Sequence, residues 1–280
     1  ARIASVYLGG GTPSLLPAEL LSFLLRQVVS DDGREAPEVT MEANPESIDR
    51  RKLEAFVASG GNRLSLGLQT HDDRLLRLLG RLHTASGVAE TVRQARAAGI
   101  DRINLDLIYG LPGQTVSGWE ETLAFALALG PDHLSLYVLE LHPETPLAEA
   151  VAEGRLVLPG EEEVAEMLAR AMEILPRAGL RRYEIASFAR PGAECRHNLN
   201  YWRRGRYLGL GAAAHSFLGK ERRANHKTPE AYLAALARGE APVAFTEEVG
   251  PAEALLEVIM LGLRLGEGVA LSHLASMSGL

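Results

Sequence analysis

Short β-rich runs alternate with amphipathic helical patterns along the first two thirds of the chain, and that order confines it to an α/β fold around a parallel sheet or barrel. The runs predict strands at Ile3–Leu8, Glu38–Ala43, Arg63–Gln69, Arg102–Ile108, His133–Tyr137 and Arg182–Ile185. Apolar spacing predicts helices at Ala18–Val29, Arg50–Ala58, Ser86–Ala98, Ser117–Leu129 and Glu161–Arg177. Gly99 and Gly179 follow two of these helices, where glycine accepts the left-handed conformation of a C-terminal cap.

From about Pro191 the rhythm stops. "PGAECRHNLNYWRRGRYLGLGAAAHSF" reads as a loop-rich excursion, with Gly209 and Gly211 setting a close strand-to-loop path. Helices near Glu230–Ala237 and Ala252–Leu265 follow, the latter opening a small helical domain that is incomplete at Leu280. The expected division is therefore 1–190 and 191–280. A chain of 280 residues that is 46% hydrophobic has core enough for this. No apolar stretch reaches the ~20 residues that span a bilayer, and no secretory leader is visible, so a soluble cytosolic protein is expected.

A net charge of −7 argues against broad nucleic-acid binding, which needs concentrated positive charge. The single cysteine, Cys195, excludes an internal disulfide and cannot by itself hold zinc or an iron–sulfur cluster. Lysine occurs only at Lys52, Lys220 and Lys227, none near a predicted strand end, which disfavours a Schiff-base or aldolase-type barrel.

Repeated βα units bring strand C-termini and the loops after them to one face. Glu42 and Asn44, Gln69, and Asp106 end three strands there, and "GGGTPS" follows a fourth. The glycine run is a poor phosphate nest: Pro13 removes a donor, no lysine follows, and Ser14 replaces the third glycine of a dinucleotide fingerprint. Gly9, Gly10 and Gly11 can instead present carbonyl oxygens to an ammonium group, with Glu42 adding negative charge. Arg81 can clamp a carboxylate, and Gln69 and Asp106 can bind ribose hydroxyls. Ammonium, carboxylate and ribose together describe S-adenosylmethionine (SAM).

In order along the chain, "GGGTPS", "MEANPES", "NRLSLGLQT", "LGRLH" and "NLDLIYGLPGQT" resemble the oxygen-independent coproporphyrinogen III oxidase-like branch of the radical SAM superfamily. The resemblance runs from about Val6 to Phe217, with a weaker match in "LEVIMLGLRLGEGV". It implies a partial (β/α)6 TIM-like barrel, here lacking its first strand. It also implies SAM contacts at Gly10, Gly11, Thr12, Glu42, Gln69, Arg81 and Asp106. Within the branch, the His-Asn-x-x-Tyr element of "CRHNLNYW" is similar to the haem-binding motif of its haem-chaperone group, which makes His197 the expected haem contact.

The function so implied is haem binding and transfer to acceptor proteins such as respiratory enzymes, with dimerisation open. The alternative is oxidative decarboxylation of coproporphyrinogen propionates. In the family a [4Fe–4S] cluster is held by three closely spaced cysteines in the loop after the first barrel strand. Those ligands lie outside this chain, so the chain as given is expected to bind no cluster, to hold SAM weakly and to be catalytically inactive.

Overall fold

A computed structural model describes residues 3–29 and 36–278. The chain divides into two compact units, Ala1–His197 and Asn198–Leu280. In the first, the elements run β1 (Ser5–Leu8), α1 (Ala18–Val28), β2 (Glu38–Ala43), α2 (Arg50–Ala58), β3 (Arg63–Gln69), α3 (Asp73–Leu78), α4 (Ala85–Ala97) and β4 (Arg102–Tyr109). They continue with α5 (Val116–Ala128), β5 (His133–Val138), α6 (Pro146–Ala152), α7 (Glu161–Arg177), β6 (Arg181–Arg182) and β7 (Ser187–Ala189). α8 (Arg196–Trp202) crosses the division between the units.

The seven strands form one sheet in the order β1-β2-β3-β4-β5-β7-β6. β1 to β5 pair in parallel, and β7 joins β5 antiparallel. This is the α/β architecture that the sequence predicts, with one correction. The predicted strand Arg182–Ile185 is a hairpin, β6 turning into β7. The Arg182 guanidinium donates to the carbonyls of Glu184 and Ile185, which pins the turn there and leaves Ile185 exposed. Gly99 and Gly179 both have left-handed backbones, at φ +95° and +83°.

The period of two along each strand sorts side chains onto two faces. On one face Val39, Met41, Leu64, Leu66, Leu68, Ile103, Leu105, Leu107, Leu134, Leu136 and Phe188 are buried in a single apolar cluster. Helical spacing supplies the other half of that core: Leu21 and Leu25, Leu53 and Phe56, Val88, Val92 and Ala95, Trp119, Leu123 and Ala126, then Met167, Ala171 and Leu175. Trp119 is fully buried and satisfies its indole by donating to the Met167 carbonyl at 2.8 Å.

The alternate positions on the strands are polar: Ser5 and Tyr7; Glu38, Thr40 and Glu42; Arg63 and Ser65; Arg102, Asn104 and Asp106; His133 and Ser135. Register aligns them into rows, with Glu42 opposite Ser65, Ser65 opposite Asn104, and Asn104 opposite His133. One row further up, Asp106 lies between Gly67 and Ser135. The sheet thus has one oily face under the helices and one polar face.

Caps set where the helices begin. Thr115 Oγ1 accepts the Gly118 N–H at 3.1 Å at the start of α5. Thr115→Ala is expected to cost about 1 kcal/mol, seen as a lower urea midpoint with an unchanged slope.

The second unit contains β8 (His215–Phe217), β9 (Glu221–Asn225), α9 (Pro229–Ala237), β10 (Val243–Glu248), α10 (Pro251–Gly262) and α11 (Leu271–Ser278). Its three strands form an antiparallel sheet in the order β10-β9-β8. The region expected to be loop-rich therefore contains a helix and a strand. The close backbone path at Gly209 is present: a Cβ there would lie 2.1 Å from the His215 carbonyl oxygen. Glu257 is shared by Arg204 and Arg222 at 2.7 and 2.5 Å, and the Arg204 guanidinium covers the Phe217 ring at 4.6 Å.

Candidate functional site

The C-terminal rim of the parallel strands carries the site, built upward from the polar face. Leaving β1, the chain turns through Gly10 at φ +83°, a conformation that favours glycine. The Gly10 N–H donates to Glu42 Oε2 at 3.2 Å, and Tyr7 donates its phenol to Glu42 Oε1 at 2.8 Å. Gly9 permits this, since a Cβ there would lie 2.7 Å from the Tyr7 ring and 2.9 Å from the Glu42 carboxyl. Glu42 therefore fixes the glycine turn as well as charging it. Side chains added at Gly10 or Gly11 would meet nothing within 4 Å, so the turn faces open space. Thr12 precedes a 3₁₀ turn, Pro13–Leu15, and its hydroxyl makes no capping bond there.

Gly67 gathers the next part of the rim. A Cβ at Gly67 would lie 2.7 Å from Gln69 Nε2 and 3.2 Å from Asn44 Oδ1. Gln69 itself takes φ +66°, where the β3–β4 register shifts, and this folds its side chain back over Gly67. Asn44 Oδ1 accepts from Arg81 Nη1 at 3.2 Å, so Asn44 positions the arginine that follows α3. Asp106 is the register neighbour of Gly67 on β4.

Beneath Asp106 runs a hydrogen-bond chain with a defined direction. Asn104 Nδ2 and Ser65 Oγ donate to the two Asp106 oxygens at 2.8 and 3.0 Å. That orients the Asn104 amide, so its Oδ1 accepts from His133 Nδ1 at 2.6 Å. His133 Nε2 then accepts from the Tyr183 hydroxyl at 2.8 Å. Burial, with the Arg63 charge adding to it, pushes the His133 pKa well below its ordinary value, so the imidazole is neutral as the chain requires. Burial likewise raises the Asp106 pKa, against the hydrogen bonds from Asn104 and Ser65. The Glu42 pKa is raised by burial and by the Asp106 charge, with Tyr7 and Gly10 pulling the other way. Asn44 is on the expected rim, whereas Ser65, Asn104, His133 and Tyr183 are not among the residues the sequence points to. The alternation in "INLDLIY" and "HLSLYV" already puts Asn104, Asp106, His133 and Ser135 on one face.

His197 stands elsewhere. It lies in the first turn of α8, beside Ser5 and Glu38, the residues that open β1 and β2. Its Nδ1 is hydrogen-bonded to Ser5 Oγ at 3.0 Å, and its ring stacks on Tyr7 with centroids 4.8 Å apart and planes 19° from parallel. The buried Glu38 carboxylate accepts the N–H groups of Arg196 and His197 at 3.1 and 3.0 Å. The His197 pKa is lowered by burial, with Glu38 opposing. The expected SAM residues are thus gathered on the rim, and the expected haem residue is at the opposite strand ends, with Tyr7 touching both His197 and Glu42.

Glycines opening onto free space, a carboxylate, an arginine and paired amide and carboxyl groups fit an amino acid joined to a nucleoside. The chain's one cysteine does not fit a thiolate-held cluster. Among the described residues, no group of three or more His, Cys, Asp or Glu side chains is placed to hold a metal ion, and no helix is long and apolar enough to cross a membrane.

Residues 1–126 match the radical SAM superfamily model. The heme chaperone HemW of Bacillus subtilis (strain 168) is 37% identical over 279 residues, covering 99% of this chain and 74% of that protein. HemW of Mycobacterium tuberculosis (strain ATCC 25618 / H37Rv) is 39% identical over 276 residues, 98% of this chain and 70% of that protein. Among solved structures, coproporphyrinogen III oxidase (HemN) from Escherichia coli, a radical SAM enzyme, aligns with a TM-score of 0.83 at 23% identity, over 99% of this chain and 67% of that one. That likeness concerns the fold. Since nearly all of this chain matches more than two thirds of both of these HemW proteins at 37% and 39% identity, it belongs to the radical SAM superfamily, in its HemW group.

Proposed function

We propose that the chain serves as a haem chaperone, binding haem and passing it to acceptor proteins, on a scaffold that also holds SAM. The observation that carries this reading is the rim itself: Glu42 locked to the Gly10 turn, Arg81 held by Asn44, Gln69 folded over Gly67, and Asp106 beside Gly67 on the next strand. Its four charged and amide groups match the charged ends and ribose of SAM, and the HemW relatives supply the haem-chaperone role.

In this reading Gly10, Gly11 and Thr12 line the methionyl end of SAM, with Glu42 facing its ammonium. Arg81 takes the carboxylate, while Gln69 and Asp106 take the ribose hydroxyls. The part the residues of this chain play is to bind and orient SAM. Haem iron would be met by the imidazole of His197. Respiratory enzymes are the expected acceptors, and the setting is cytosolic. The coproporphyrinogen oxidase reading keeps only the shared fold in its favour.

Titrating haem into the wild-type chain and into His197→Ala tests the assignment. The wild type should displace the Soret band, and the variant should lose that displacement with roughly tenfold weaker binding. Identical spectra and affinities would remove His197 from the haem site.

A further inference from the structure

A pocket of about 510 Å³ lies on the same side of the sheet as the rim, built by segments that follow β3, β4 and β5. It uses none of the residues assigned above. One wall is α3, which contributes Arg74 and Arg77 with Leu75 and Leu78 between and beside them. The other wall is the segment after α6, with Arg155 and Leu156. The loop after β4 joins them, the Gly113 N–H donating to the Val157 carbonyl at 3.1 Å. Gly113 has φ +71°, and a side chain there would meet nothing within 4 Å.

Three guanidinium groups and an otherwise apolar lining, with no carboxylate, make an unusual surface for a chain of net charge −7. Arg74 and Arg77 are three residues apart on one helix and so project to the same side. Arg74 meets Asp72 only at 3.4 Å, and Arg155 meets Glu153 at 2.5 Å. Each contact uses one edge of a guanidinium that has five donors. Among the described residues no carboxylate is within ion-pair distance of Arg77. The lining is mostly apolar with a few polar groups, as in small-molecule sites, but the pocket opens widely to solvent and so suits the edge of a larger ligand.

We propose that this pocket binds a flat apolar molecule bearing carboxylates, namely the propionate edge of a tetrapyrrole, and does so independently of the iron. The inference rests on the haem-chaperone reading and gives it a second tetrapyrrole site, apart from His197 at the opposite strand ends. The arginines take the propionates bidentately, and Leu78 and Leu156 cover the edge of the macrocycle. A phosphate-rich ligand would leave Leu78 and Leu156 unused, and a nucleic acid would find no aromatic stacking surface among the lining residues.

The test uses the whole chain and two metal-free probes, protoporphyrin and its dimethyl ester, with binding read by porphyrin fluorescence. Wild type should bind the free acid roughly tenfold more tightly than the ester. The double variant Arg74→Gln/Arg77→Gln should lose that preference, and Arg155→Gln should reduce it. His197→Ala should leave it unchanged, since neither probe has iron. All three arginines lie on the surface, and an unchanged circular dichroism spectrum checks that each variant folds. Equal binding of acid and ester by wild type, or an undiminished preference in the arginine variants, overturns the proposal. Iron haem separates the two readings: a normal Soret displacement without any acid preference defeats the pocket and spares the haem assignment. No Soret displacement in wild type defeats the haem assignment itself.

Discussion

Glu38→Ala should lower the stability of the Ala1–His197 unit by roughly 3–5 kcal/mol and abolish the Soret response of a chain whose His197 is intact. Glu38 is 2% exposed and takes no part in the rim. Its carboxylate accepts the first N–H groups of α8, at Arg196 and His197, together with the Cys195 thiol at 3.5 Å, and faces Arg102 at 3.8 Å. Helix N-termini need such acceptors, and hydrogen bonds to a charged group contribute about 1.5–3 kcal/mol each. Alanine takes the buried acceptor away from two backbone donors and the thiol, while Arg102, whose side chain is 40% exposed, can turn to water. Glu38→Gln keeps one acceptor oxygen and should fall between wild type and alanine. Urea unfolding followed by circular dichroism gives the ranking, and haem titration gives the functional loss. A Glu38→Ala protein with wild-type midpoint and Soret response would show that α8 is held by something other than this carboxylate.

That arrangement explains why the haem-motif segment looked irregular in the sequence. "CRHNLNYW" has no Ser, Thr, Asp or Asn just before its helix to cap it locally. Its cap comes from β2, some 158 residues away, while Arg63 of β3 donates to Ala193 and Tyr183 accepts the Cys195 N–H. Local pattern cannot report contacts made at that separation. Periodicity did report the barrel-like half: Glu38–Ala43, Arg50–Ala58, Arg63–Gln69 and Glu161–Arg177 have the predicted ends, because each buries a regular stripe against its neighbours. The rim was legible for the same reason, since a polar residue at a strand end inside an apolar run is conspicuous. Asn44 shows the limit: its bond to Arg81 depends on how the chain returns after α3, and on Gly67 leaving room. The hairpin at Arg182 shows another, because the side chain that pins the turn belongs to what reads as a strand.

Asp106→Asn should separate the cost of the site from its use. Burial raises the Asp106 pKa above its ordinary 3.8, so the folded protein holds that proton more tightly than the unfolded chain. The group's contribution to stability is therefore present below 3.8 and is lost as pH rises through the elevated folded value. Once ionised, the carboxylate is a net expense to the fold, and its charge also raises the pKa of Glu42. Asparagine can keep the local bonds: its Oδ1 accepts from Asn104 and its Nδ2 donates to Ser65 Oγ, a hydroxyl able to accept. The variant should be more stable than wild type by about 1 kcal/mol at pH 7, with the advantage shrinking as pH falls toward 4. SAM binding should weaken by roughly ten- to a hundredfold, the worth of a hydrogen bond from a ribose hydroxyl to a charged acceptor. Urea midpoints across pH and equilibrium dialysis with SAM read the two effects in one preparation. A gain in stability together with a loss of SAM marks Asp106 as a ligand-binding residue held at some cost to the fold, whereas a loss of stability with SAM affinity unchanged would make it a structural brace between Asn104 and Ser65.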